Sequence, residues 1–410
     1  MNEQELIISE LGHRGDGIAQ TESGPVYVAG ALPGEKVVAK IQNGRAINPR
    51  IVQQSPDRID PVCTHSETSG SCSMQHLAEK PYLEWKRELV ERALKGGGID
   101  ATVSDTLAAT SGGRRRAVLT AGRAGRNIIL GYHGKASHKL VDAAGCQALS
   151  PVIEKALPGL KSLAAEILPK KGETRVTVLA TTAGLDVAID KADKNYDRKI
   201  PALSQKTVEL DLARLAVNGE VLLEVRPPVL DMDGIGVVPA SGGFTQATLA
   251  GEEALSRLVL EGVGKAKTVA DLFSGIGTFA LRLARTTNVH AVEGDAAAVA
   301  AFDKALRKPQ GLKKVTFERR DLFRRPLVLE ELEPFDAVVF DPPRAGAQAQ
   351  AELLAASKVK TIIAVSCNPA TLARDLRILI DGGYKLQKVT PVDQFQYSPH
   401  IEVVAVLKRE

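Results

Sequence analysis

The chain has 410 residues, 44% of them hydrophobic and 25% charged, with a formal charge of +4. It is too long for one core, and its composition is that of an ordinary globular protein. No apolar run approaches the roughly 20 residues that span a bilayer, and the four scattered cysteines are too few for a secreted disulfide framework. A cytoplasmic protein without a membrane partner, working as a monomer, is expected.

Residues 1–58 alternate short apolar runs with Gly12, Gly15, Gly17, Gly24, Gly30 and Gly34, the pattern of a small β-barrel. Pro56 and Pro61 then break regular structure. A loop holding Cys63, His65, Cys72 and His76 follows. Leu83, Leu89, Val90 and Leu94 keep helical spacing up to glycines at 96–98, which predicts a helix over 80–97. Residues 59–238 otherwise read as a mixed α+β domain. Between Arg114 and Lys139 lie Arg114, Arg115, Arg116, Arg123, Arg126, Lys135 and Lys139 with no acidic residue among them. Such a one-signed stretch draws a polyanion, although a solvated basic face has the same composition.

From residue 239 to 410 strands and helices alternate. The apolar strands "TVADLF", "VHAVEGD", "VTFERRD", "FDAVVFD", "TIIAVSC", "YKLQKVTPVD" and "IEVVAVLK" predict a doubly wound sheet buried on both faces. In "VADLFSGIGTFALRLA", Gly275 and Gly277 allow a tight turn against a ligand, and Glu293 at the end of the next strand suits ribose hydroxyls. Gly275-x-Gly277-x-x-Ala280 fits a dinucleotide site formally, and S-adenosylmethionine uses the same place in such a sheet. Both readings stay open on these residues alone.

Asp341-Pro342-Pro343-Arg344 ends the fourth strand. The prolines stiffen a loop that leaves Asp341 and carbonyls to the pocket, and Arg344 stands where an enzyme methylating an exocyclic amine carries an aromatic. One strand further, Cys367 lies at a strand tip, where open α/β sheets bind ligands. Glu402 opens an otherwise apolar terminal strand. A thiolate that adds to carbon 6 of uracil turns carbon 5 into a nucleophile for a sulfonium methyl, and a carboxylate then removes the carbon 5 proton. Asn368 and Pro369 fix the turn, and the dipole of the helix that follows is expected to favour the thiolate.

The motifs "DLFSGIGTF", "DPPRAG", "SCNPATLARDL" and "HIEVVAVL", in this order, resemble the RNA uracil-5-methyltransferases that use S-adenosylmethionine. The resemblance implies a Rossmann-like class I methyltransferase domain at the carboxyl end, with the helix over 80–97 able to pack on it across the division near residue 100, and an oligonucleotide-binding-type (TRAM) barrel at the amino end. It implies Cys367 as nucleophile, Glu402 as base, and methyl-donor contacts at Gln246, Phe273, Gly275, Gly277, Thr278, Glu293, Asp321 and Asp341. RNA contacts are expected at Arg114, Arg115, Arg116, Arg123, Arg126 and Arg344. Ser274 stands where members often have cysteine, and Thr278 and Ala247-Thr248 where they often have asparagine. The barrel favours the branch acting on 23S rRNA. A transfer-RNA enzyme and a scaffold that has lost catalysis are the alternatives.

Members of that branch hold an iron–sulfur cluster on four cysteines. Cys63, Cys72 and Cys146 align with three of them, and Ser69 replaces the other. Three outcomes are open: a cluster with one labile or oxygen-ligated iron, zinc bound with His65 or His76, or a loop held by packing.

Overall fold

The computed structural model describes residues 3–135 and 137–409. At the amino end six strands form one sheet in the order Gln4–Ile7, Lys36–Gln42, Arg45–Gln53, Gly24–Val28, Gly17–Thr21, Glu10–Leu11. The two edge strands are consecutive in the chain, with only Ile8 and Ser9 between them. The sheet therefore has to curl until its edges meet, and Leu6, Ile8, Val26, Val28 and Val37 fill the small interior.

The central sheet has seven strands: Leu140–Asp142, Asn127–His133, Arg116–Ala124, Thr174–Thr181, Gly184–Asp190, Arg214–Val217 and Glu220–Glu224, in that order. Helices Pro151–Ile167 and Ile200–Glu209 bury their apolar residues against one of its faces, Leu157, Leu160 and Leu203 meeting Val176, Val178 and Val187.

The carboxy-terminal sheet has the order Val315–Arg319, Asn288–Glu293, Thr268–Leu272, Ala337–Phe340, Thr361–Ser366, Glu402–Lys408, Lys385–Asp393, Leu107–Ala108. The first five strands are parallel, and Glu402–Lys408 runs antiparallel between Thr361–Ser366 and Lys385–Asp393. Alternate residues feed opposite layers, so Val269, Val339 and Ile363 face one core and Ala270, Val338 and Ile362 the other. That is why these strands read as unbroken apolar runs.

The packing does not follow the chain's compositional divisions. Helix Glu79–Gly96 lays Val90 and Leu94 into one carboxy-terminal core, joined by Ile99 and Val103. Leu107–Ala108 pairs with Val392 and Asp393 at the sheet edge, and the hairpin Leu230–Met232/Ile235–Val237 enters the opposite core. Tyr82, Trp85 and Leu89 on the same long helix meet Leu11, Leu32 and Met74, so one helix joins the barrel to the doubly wound sheet. Among the described residues no helix is long and apolar enough to cross a membrane.

Candidate active site

A cleft of about 750 Å³ crosses the carboxyl ends of the parallel strands. Strand Thr268–Leu272 leaves the sheet through Phe273, a non-glycine residue at φ +58°, followed by Gly275 at +56° and Gly277 at +89°. The glycines do different work. A β-carbon on Gly277 would run into the ring of Phe302, so Gly277 lets the loop pack down on helix Ala296–Leu306. A β-carbon on Gly275 would meet nothing within 4 Å, which leaves its backbone open to a ligand.

The Gly275 N–H donates to Glu293 Oε2 at 2.8 Å, and Asp295 N–H donates to Glu293 Oε1 at 2.7 Å. Two backbone donors therefore hold the Glu293 carboxylate at its strand end. Asp321 Oδ1 accepts from Phe323 N–H at 3.0 Å. The exposed Phe323 ring tilts against Phe273, with centroids 5.4 Å apart. Gln246, Phe273, Gly275, Thr278, Glu293, Asp321 and Asp341 all line the cleft, and Gly277 lies behind it.

Cys367 and Glu402 meet through strand register. Ser366 pairs with Val403 in the antiparallel ladder, so Cys367 and Glu402 face one another one step beyond the last rung. Asp341 follows strand Ala337–Phe340 on the other side and also borders the cleft. Asn368 anchors the cysteine turn: Oδ1 accepts from Ala370 N–H at 3.2 Å, and Nδ2 donates to Arg344 O at 3.0 Å. The cysteine turn and the proline loop are thereby tied together.

The electrostatics differ from the sequence expectation for Cys367. Burial pushes its thiol up to about 11, with the charges of Glu402 and Asp341 adding to the rise and Arg344 opposing it. The helix Pro369–Asp381 does not outweigh this burial, because its dipole amounts to about half a charge. Burial also raises Glu402, with Asp341 second, while a hydrogen bond from Gln394 and the charges of Arg344 and Lys86 pull it down. Asp341 is raised by burial. Beneath the loop Asp271 is fully buried, and neither of its carboxylate oxygens has a hydrogen-bond partner among the described residues. Burial, then the charge of Asp341, raises it well above its ordinary value.

Alkylation tests the resting state of the thiol. Iodoacetamide is expected to modify Cys367 slowly at neutral pH, at a rate that climbs with pH toward about 11. Peptide mapping after timed exposure measures this. A plateau already at the ordinary thiol value of 9.0 would contradict the burial argument.

The tRNA (uracil-5-)-methyltransferase family matches residues 241–410, and the TRAM domain matches residues 2–46. An uncharacterized RNA methyltransferase of Agrobacterium fabrum is 47% identical over 100% of this chain and 100% of its own length. The 23S rRNA (uracil(1939)-C(5))-methyltransferase RlmD of Aeromonas salmonicida is 29% identical over 99% of this chain and 96% of its own. This chain belongs to the S-adenosylmethionine-dependent RNA uracil-5-methyltransferases. The fold agrees: the Pyrococcus abyssi tRNA (uracil-54, C5)-methyltransferase, solved with S-adenosyl-L-homocysteine, superposes with a TM-score of 0.79 at 24% identity, covering 98% of this chain and 100% of that one.

For an RNA methyltransferase, the placing of the arginines matters. Arg114 and Arg116 line the cleft, and the Arg114 guanidinium stands 5.7 Å from the Phe395 ring centroid. Arg116 Nε donates to Gly243 O at 3.0 Å. Arg344 lines the cleft and donates to His400 Nδ1 at 2.7 Å. Arg123 and Arg126 are exposed around a hairpin turn, away from the cleft lining. Arg115 differs from the sequence expectation. It is buried in an ion pair with Glu252, which Arg282 shares at 2.8 Å, and so holds the central sheet to the helix that carries Glu252. Arg115 lies just before strand Arg116–Ala124, and "RRR" could not show which of the three would turn inward.

The cysteine site offers three thiols, Cys63, Cys72 and Cys146, with Ser69 in place of another. Burial raises the Cys72 and Cys146 thiols, and the nearby Cys146 and Cys63 raise Cys72 further. The three are neighbours, yet among the described residues no three His, Cys, Asp or Glu side chains are grouped to hold a metal ion. Ser69, the fourth position, accepts a hydrogen bond from Ser71 N–H at 3.3 Å. His76 is neutral, pushed down to about 4 by burial and then by Arg58. Backbone bonds shape the loop: Gly70 N–H to His133 O at 3.1 Å, and Ser73 and Met74 N–H to Tyr397 O at 2.8 and 3.1 Å.

Sequence reasoning missed four cleft residues or their supports: Asp271, Gln394, His400 and Lys86. Gln394 and His400 lie in the stretch "QFQYSPHIE", which draws attention only through Glu402.

Proposed function

We propose that the protein transfers a methyl group from S-adenosylmethionine to carbon 5 of one uridine in 23S rRNA, through a cysteine adduct at carbon 6. The observation that carries this reading is one continuous cleft with the glycine turn and the Glu293 carboxylate at one end and Cys367 and Glu402 at the other. The open backbone at Gly275 and the held carboxylate of Glu293 suit the nucleoside of the donor, with Asp321 and Phe323 beside them.

In this reading Cys367, once deprotonated, forms a bond from Sγ to carbon 6, and the displaced electron pair passes to the carbon 4 oxygen. Carbon 5 then takes the sulfonium methyl, leaving S-adenosylhomocysteine. Glu402 removes the carbon 5 proton. The double bond re-forms and the Cys367 thiolate departs. A carboxylate raised by burial is a stronger base than a solvated one, which suits this last step. A target uracil has to be turned out of its stack to stand between the two side chains. Arg114, Arg116, Arg123, Arg126 and Arg344 contact RNA in this reading, with the protein acting as a monomer.

Ribosomal RNA is preferred because the relative named for 23S rRNA aligns over nearly the whole chain. The barrel does not discriminate, since the archaeal tRNA enzyme covers 98% of this chain. Incubation with labelled donor and separated 23S and transfer RNA, followed by mapping of the modified nucleotide, tests this. Label at one 23S uridine is the expected result, and label confined to transfer RNA would overturn the choice.

A further inference from the structure

Gln394 joins the two ends of the cleft. It follows strand Lys385–Asp393, borders the cleft and is 1% exposed. Its Oε1 accepts from the Ala247 backbone N–H at 3.0 Å. A backbone N–H can only donate, so the amide oxygen is committed to that side and the NH2 group faces the other way. The two hydrogens of that group are both used. Nε2 donates to Gln246 Oε1 at 2.7 Å and to Glu402 Oε1 at 3.2 Å.

Its neighbours fix this position. A β-carbon on Gly251 would come 2.7 Å from Gln394 Cβ, so a residue with any side chain there would push it out. Asp393, its predecessor, is held by the buried ammonium of Lys86 at 2.7 Å.

Resting on Glu402 as the base, we infer that Gln394 is a positioning residue for the proton-removal step. Its N–H holds one oxygen of Glu402, which fixes the rotation of the carboxyl and leaves the other oxygen for the ring. The same amide holds Gln246, so the donor end and the base are locked into one register. A hydrogen bond given to a carboxylate favours its charged form. Gln394 therefore acts with Arg344 and Lys86 against burial and the charge of Asp341, while Cys367 faces Glu402 across the rung.

Gln394→Met keeps the volume and removes both polar atoms. The test uses the full chain, its RNA substrate and labelled donor, and measures adduct formation and adduct breakdown separately as a function of pH. Adduct formation is expected to stay within about threefold of the parent. Breakdown is expected to slow about tenfold or more, with its pH midpoint moved upward, because a tenfold bias is one pH unit. Gln394→Asn, which keeps an amide one methylene short, should restore part of the breakdown rate. Glu402→Gln runs alongside. If it traps the adduct while Gln394→Met breaks down normally, the positioning role is overturned and the base stands. If neither variant slows breakdown, both fall. Equal slowing of both steps with a lowered melting temperature marks a merely structural residue and also overturns the proposal.

Discussion

Glu402→Gln is expected to stall the enzyme with RNA covalently attached, whereas Cys367→Ala is expected never to form that attachment. The two side chains face each other one rung beyond the pairing of Ser366 with Val403, and in the proposed sequence they act at opposite ends of the reaction. Without the thiol, carbon 5 is never activated, and methyl transfer should fall by about 10³-fold or more, the scale of losing a covalent nucleophile. Without the carboxylate, carbon 5 is methylated but keeps its proton, so the sulfur cannot leave. Denaturing gel electrophoresis with labelled donor reads both results. A band carrying label, larger than the free protein and sensitive to ribonuclease, should accumulate with Glu402→Gln and be absent with Cys367→Ala. Full turnover by Glu402→Gln would remove Glu402 from the mechanism. Labelled product from Cys367→Ala would remove the adduct.

Lys86→Met is expected to destabilise the protein by about 3–5 kcal/mol, the cost of leaving one member of a buried ion pair alone. Lys86 is 0% exposed and Asp393 is 1% exposed. The ammonium donates to Asp393 Oδ1 at 2.7 Å, to Phe395 O at 3.5 Å and to His400 O. Burial lowers Lys86 to about 8 despite the attraction of Asp393. Desolvation thus outweighs the pairing, so burying the ammonium is not itself a net gain, and the damage comes from stranding Asp393. Adding Asp393→Asn should therefore recover much of the loss, since Asn keeps an oxygen for Phe395 N–H, which now bonds Asp393 Oδ1 at 2.9 Å. Urea unfolding of the parent, single and double variants measures this. A loss below about 1 kcal/mol in the single variant would mean that water reaches Asp393.

The same contacts explain why the stretch that carries Glu402 keeps its shape. Residues 393–402 include Tyr397 at φ +63°, a conformation that a non-glycine residue holds only when neighbours enforce it. Ser73 and Met74 donate to its carbonyl, and Tyr82 Oη donates to Ser398 O at 3.4 Å. The cysteine loop and the helix after it thus brace the loop between the last two strands with hydrogen bonds of their own. The three thiols and Ser69 add no metal-holding group among the described residues to that brace.

The local chemistry was legible in the sequence. The glycine turn after "TVADLF", the apolar strands buried on both faces, and Cys367 at a strand tip all follow from residue type and spacing, because backbone freedom and hydrophobic period are local properties. The curled six-strand sheet was legible for the same reason, from glycines spaced between short apolar runs. Only the tertiary structure decided which distant groups share a site. Antiparallel register set Glu402 opposite Cys367, the backbone entering strand Arg116–Ala124 turned Arg115 inward to Glu252 between cleft-lining neighbours, and the fold brought Lys86 to Asp393 and Gln394 to Glu402. It also set the Cys367 thiol, since the burial and neighbouring carboxylates that hold it near 11 exist only when three strand ends meet. A shifted pKa depends on the solvent excluded and the charges within a few ångströms, and a linear chain carries neither.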